Sequence, residues 1–156
     1  MGFLMSLLIT GCLAPPVEVP IVDPFRPPTC VWCPGNRGIE FGPTLGHDVL
    51  AASAGTVSFS GRVAGVLYVV LQHPDGTRTT YGGLLATERW RGEHVALGET
   101  VGTGGFTLHF GLRRGDDYLD PTPMLGRLAR RARLVPVDGT PARPAGDQVR
   151  CVADGG

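Results

Sequence analysis

The amino-acid sequence predicts a small all-β domain, an antiparallel sheet or sandwich with one short C-terminal helix. Between residues 38 and 121 the apolar runs are short and broken by glycine, and they alternate or run continuously without helical period. A turn signal, His73-Pro74-Asp75-Gly76, separates two of them. Val57 to Gly61 alternates, Val66 to Leu71 is a continuous buried run, and Thr77 to Tyr81 is β-branched and alternating. The last two should form a hairpin about the Asp-Gly turn. Val95 to Thr103 and Thr107 to Arg113 predict two further strands, with Gly102, Gly104 and Gly105 marking a tight bend or bulge between them. Asp120-Pro121-Thr122-Pro123 then predicts a helix start, with Asp120 or Thr122 as N-cap and proline in the first turn. Met124, Leu125 and Leu128 would face the sheet, leaving Arg127, Arg130, Arg131 and Arg133 on a solvated face.

The segments outside this unit differ in composition. Met1 to Leu13 is uncharged, and its apolar run, Phe3 to Ile9, falls short of the roughly 20 residues a membrane-spanning helix needs. It reads as a signal segment over residues 1–12. Its end, Ile9-Thr10-Gly11-Cys12, resembles a bacterial lipobox, which makes Cys12 a lipid-attachment site. The basic n-region is missing, and an upstream start would supply it. Residues 13–34 carry Pro15, Pro16, Pro20, Pro24, Pro27 and Pro28 and predict an extended tether. The β domain is placed at 35–126, and residues 127–156 combine the Arg-rich helix end with a Pro- and Gly-rich tail.

With Cys12 set aside, Cys30, Cys33 and Cys151 leave one bridge and one thiol in an oxidising exterior. Cys30 and Cys33 could close on each other, or one of them could pair with Cys151. A zinc pair would need partners that cannot be placed, and a redox Cys-x-x-Cys should open a helix, whereas Pro34-Gly35 follows here. The 156 residues carry 14 acidic side chains against 14 basic ones, all arginine, so the chain lacks the cationic excess that nucleic-acid binding requires. Catalytic motifs are also missing. His47, His73, His94 and His109 share no metal-ligand spacing, no Gly-x-Ser-x-Gly elbow or phosphate loop occurs, and Ser58 and Ser60 lie within a strand.

The order of segments is informative where single motifs are not. Asn36-Arg37-Gly38-Ile39-Glu40, Ala51 to Val57, Tyr81-Gly82-Gly83-Leu84, Val95 to Gly102, Leu108 to Arg113 and Asp120-Pro121 together resemble the lysostaphin-type (LytM) peptidoglycan endopeptidase domain. The resemblance implies a β-sheet zinc endopeptidase acting on the peptides of bacterial cell wall. In that family the metal is held by His-x-x-x-Asp and by the second His of His-x-His. The first His of that pair, and a His after Tyr-Gly, serve the attacking water. Here Asn36 stands for the first ligand His and Glu40 for the Asp. Gly83 replaces the His after Tyr81-Gly82, Thr107 replaces the first His of the final pair, and His109 alone keeps its family place.

An amide is a poor zinc donor, and the extra methylene of Glu40 displaces its carboxylate. Without imidazoles at 83 and 107, proton transfer and oxyanion stabilisation each lose about 10²–10³-fold. His47 beside Asp48, or His94 beside Glu93, would have to migrate to rescue the site. The resemblance therefore implies an exported, lipid-anchored, catalytically inactive module with no cofactor, which binds peptidoglycan or regulates a wall hydrolase. Tyr81 would offer its groove an apolar face and Arg113 a carboxylate partner, bordered by Glu40 and His109. The alternative is an active zinc metalloendopeptidase using Glu40, His109 and a third ligand not recognised. A third reading is a purely structural envelope module.

Overall fold

A computed structural model describes residues 11–130, 137–140 and 149–154. One antiparallel sheet dominates. Its strands are β1 (Ile21–Asp23), β2 (Ile39–Phe41), β3 (Asp48–Leu50), β4 (Gly55–Val63), β5 (Val66–Gln72), β6 (Thr77–Ala86), β7 (His94–Val95), β8 (Thr100–Arg114) and β9 (Asp117–Leu119). They follow the order β1-β2-β8-β6-β5-β4-β7, with β3 and β9 also paired to the long central β8. A separate ribbon pairs β10 (Arg127–Arg130) with β11 (Val149–Val152).

The expected hairpin is β5–β6. Asp75 accepts hydrogen bonds from the Thr77 amide and hydroxyl, and Gly76 takes the positive φ of +85° that the tight turn requires. The strand expected at 95–103 is split: Val95 belongs to β7, residues 96–99 form a turn, and Thr100 to Thr103 join 107–113 in one strand. β8 runs through the glycines, and the break survives as a slip in register: Gly82 of β6 faces His109, whereas Leu84 faces Gly104. Glycine thus bulges the strand without ending it.

Alternation along β8 decides where the site lies. Leu108, Phe110 and Leu112 are fully buried and pack with Ile39, Val69, Leu71 and Tyr81. With a period of two, His109 and Arg113 emerge on the other face. Tyr81 is therefore a core residue, not the groove wall expected of it. Thr77, Thr79 and Tyr81 are buried together on one face of β6. The Tyr81 hydroxyl is hydrogen-bonded to the Ala52 amide at 2.8 Å and to the Thr79 hydroxyl at 3.2 Å, and Thr79 continues to His73 at 2.8 Å. Burial pushes the Tyr81 phenol up to about 12. Because the unfolded phenol ionises near 10, stability is fully present below that pH and falls as pH rises toward 12, by on the order of 2–3 kcal/mol. Urea titrations between pH 8 and 11.5 should show this slope in the wild type and not in Tyr81→Phe. An equal slope in both would assign it to other groups.

Both ends of the chain depart from expectation. The proline-rich segment 13–34 is part of the domain: Leu13, Ala14 and Val17 are buried. Proline lacks an N–H but keeps its carbonyl. Pro16 accepts from the Leu50 amide at 2.8 Å and Pro20 from the Gly42 amide at 3.1 Å. The expected helix is a single 3-10 turn, Thr122–Met124, whose entry Asp120 stabilises by accepting the Thr122 amide at 2.9 Å. Its continuation, β10, spends its backbone groups on β11. Residues 1–10 of the expected signal segment, Arg131 and Arg133, and most of the tail lie outside the described residues.

The cysteines form two bridges, Cys12–Cys151 and Cys30–Cys33, so all four are oxidised and no thiol is left over. The expected lipid attachment at Cys12 is corrected by the first bridge, because a sulfur in a disulfide cannot also form a thioether. Cys151 pairs with neither member of the Cys-x-x-Cys.

Candidate functional site

Strand register builds the centre of the site. Glu40 of β2 faces His109 of β8 directly, and both point away from the core. Their side chains meet: His109 Nδ1 donates to Glu40 Oε1 at 2.6 Å in a half-buried position. Gly38 makes room for the ring, since a Cβ there would fall 2.8 Å from His109 Cε1. With Nδ1 committed, Nε2 is the nitrogen left to meet a ligand.

A groove of about 360 Å³ lies over this pair, lined among others by Arg37, Tyr68, Thr80, Arg113 and Tyr118. Its aromatic wall is Tyr68 and Tyr118, in place of the buried Tyr81. Tyr68 faces Gly82 across β5–β6, and a Cβ on Gly82 would overlap its ring. The apolar neighbours of Tyr68 in the run Val66 to Leu71 hid that assignment, although alternation with buried Val69 and Leu71 is the signal for it. Tyr118 lies between two guanidinium groups, with Arg37 Cζ 5.6 Å and Arg113 Cζ 5.3 Å from its ring centroid. Arg113 lines the groove as expected, but its Nη2 is engaged by Asp116 at 2.7 Å and its Nε by the Gly115 carbonyl at 2.6 Å.

The other expected positions do not join His109 as ligands. Asn36 is buried and both ends of its amide are spent. Nδ2 donates to Asp23 and to the Pro24 carbonyl, each at 3.2 Å, and Oδ1 accepts the Gly38 amide at 3.2 Å. Asp23 is itself bound by Arg26, whose hydrogen bond holds its carboxyl below the usual range. Gly83 has φ +79°, and Thr107 is exposed. His47 and His94 are exposed, and His94 sits on edge strand β7, with three strands between it and β8. A zinc ion of the family type needs three protein donors. Here an amide with both ends occupied, a carboxylate bound to the imidazole and a single histidine do not make that set. Among the described residues, no three His, Cys, Asp or Glu gather where they could hold a metal ion.

The sequence model of peptidase family M23 matches residues 34–121, the stretch that holds β2 to β9 and with them Glu40, His109 and the groove. The chain belongs to peptidase family M23. This M23 domain is 31% identical over 139 residues to the uncharacterized protein Rv2891 of Mycobacterium tuberculosis, covering 74% of this chain and 55% of that protein. It is 36% identical over 104 residues to a lipoprotein NlpD/LppB homolog of Pseudomonas aeruginosa, covering 59% of this chain and 34% of the relative. The chain thus spans about half the length, or less, of these curated relatives. A solved chain in the SpoIIQ–SpoIIIAH pore forming complex shares the fold, with a TM-score of 0.65 at 20% identity over 74% of this chain and 92% of its own.

Proposed function

We propose that this M23 domain is a catalytically inactive module of the bacterial cell envelope that binds peptidoglycan or regulates a wall hydrolase, and that peptidoglycan stem peptide is the ligand its groove suits best. The observation that carries this reading is the commitment of Asn36, whose amide is wholly used in holding the β1 segment to Gly38. The ligand position has become part of the scaffold while the groove beside it stays open. Such a groove offers a peptide the Tyr68 and Tyr118 faces, the His109 Nε2, and Arg37, whose guanidinium meets no carboxylate among the described residues. Two disulfides suit an oxidising compartment. The relative named as a lipoprotein supports an envelope setting, and the SpoIIQ–SpoIIIAH complex is a precedent for the fold taking a protein partner.

Two measurements test the reading. Protein dialysed against zinc should retain well under one equivalent and should leave cell walls intact in a zymogram. Stoichiometric zinc with chelator-sensitive lysis would instead establish the metallopeptidase. Titration with a synthetic stem peptide should shift the resonances of His109, Arg37 and Tyr118, and the absence of any shift at millimolar peptide would remove the docking role.

A further inference from the structure

An exposed, disulfide-closed turn lies beside this groove. Trp32 is 94% exposed and Val31 74% exposed, a large apolar surface for two adjacent residues. They occupy the middle of a four-residue turn closed twice, by the Cys30–Cys33 disulfide and by the Cys33 amide donating to the Cys30 carbonyl at 3.1 Å. Arg37 fastens the turn to the domain by donating to the Val31 carbonyl at 2.7 Å. At its base Arg26 and Asn36 exchange backbone hydrogen bonds of 3.0 and 2.8 Å. The turn's backbone restrained in this way has little freedom left to lose on binding, which leaves only the Trp32 side-chain rotamers to be ordered.

Trp32 borders a concavity of about 850 Å³ that also takes in Pro28, Arg37, Asp116, Asp117 and Tyr118. Arg37 and Tyr118 line the His109 groove as well, so the two spaces are neighbours that share this pair. That volume lies in the small-ligand range. The lining is mixed. Aromatic and proline faces alternate with two carboxylates and a guanidinium, which suits a ring with apolar C–H faces and hydroxyl edges better than an apolar peptide.

We propose that the disulfide-closed turn presents Trp32 as a stacking platform for a pyranose ring of the glycan whose attached peptide occupies the His109 groove. The peptide half of this statement rests on the docking reading above. Trp32 covers one sugar face, and Asp116, Asp117 and Arg37 meet hydroxyl or N-acetyl groups at its edge.

Three probes separate the two ideas: a synthetic stem peptide, the same peptide carrying its disaccharide, and N-acetylglucosamine tetramer. Each is titrated into the oxidised protein and into Trp32→Ala, with melting temperature confirming that the variant folds. In the wild type the disaccharide should tighten binding about 3- to 10-fold over the bare peptide, the range of one good aromatic stacking contact. In Trp32→Ala that gain should vanish while the bare-peptide affinity stays within about 2-fold. In a Trp90→Phe background, where Trp32 is the sole tryptophan, the tetramer should shift its emission. A disaccharide that adds nothing, or a gain that survives Trp32→Ala, overturns the platform alone. Tetramer binding that depends on Trp32, without any peptide binding, supports the platform and sinks the docking reading. Silence from all three probes sinks both.

Discussion

Gly83→His, which returns an imidazole to the place where the LytM resemblance expects one, will destabilise the domain by about 2–5 kcal/mol and restore no hydrolysis. Gly83 sits at the β6–β8 register slip with φ +79°, a left-handed conformation that costs an L-residue about 1–2 kcal/mol. A Cβ there would also stand 2.7 Å from the Thr107 carbonyl oxygen, a backbone atom that cannot swing aside as a side-chain tip would. Overpacking of that kind adds about 1–3 kcal/mol. For a chain of this size the melting temperature should fall by roughly 5–20 °C. Thr107→His, at an exposed position, should cost less than about 0.5 kcal/mol. Asn36→His should fall between them at about 1–3 kcal/mol, because it strands the buried Gly38 amide. Thermal melts of the three single variants give this order directly. A Gly83→His protein melting within 2 °C of wild type would show that the bulge yields easily and that the backbone at 83 does not demand glycine.

Period-two patterning makes much of this molecule readable in its sequence. Leu108, Phe110 and Leu112 against His109 and Arg113 fix which face of β8 is core, and Ile39 and Phe41 do the same for Glu40 on β2. His109, the one histidine that the resemblance matches to a family position, and the carboxylate of Glu40 therefore lie on the same face. What stayed hidden was decided by pairings between distant residues. Tyr81 reads as a groove aromatic until its register against Phe110 puts it inside, where the rings lie 5.4 Å apart. The β4–β5 turn gave no signal, because Ala64 takes φ +48° where asparagine or glycine is usual. At the C-terminus a proline-initiated helix and a strand compete for the same residues. The choice falls to β11, a partner too far along the chain for local propensity to register.

That C-terminal choice is tied to the Cys12–Cys151 bridge, whose loss should have the largest effect on stability. The two cysteines are 139 residues apart, so the bridge closes a loop almost as long as the chain. Constraint of the unfolded ensemble over such a loop is worth about 5 kcal/mol in the chain-entropy account. Around the bridge backbone hydrogen bonds stitch the two ends: Leu13 donates to the Met124 carbonyl at 2.8 Å, and Gly126 donates to the Leu13 carbonyl at 2.9 Å. Gly126 is obligatory there, since a Cβ would press on the Cys12 sulfur and the Val152 carbonyl. Cys12→Ser, Cys151→Ser and the double variant should therefore lose the same stability within about 1 kcal/mol, because each opens the same loop. Opening Cys30–Cys33, which closes only a four-residue ring, should cost no more than about 2 kcal/mol. Denaturant titrations of the four proteins under non-reducing conditions read these differences. A non-reducing peptide map should recover Cys12 and Cys151 in one cross-linked fragment. Recovery of Cys12 on a lipid-bearing peptide would place that sulfur outside the fold, and the β10–β11 ribbon would then have to hold by its own hydrogen bonds.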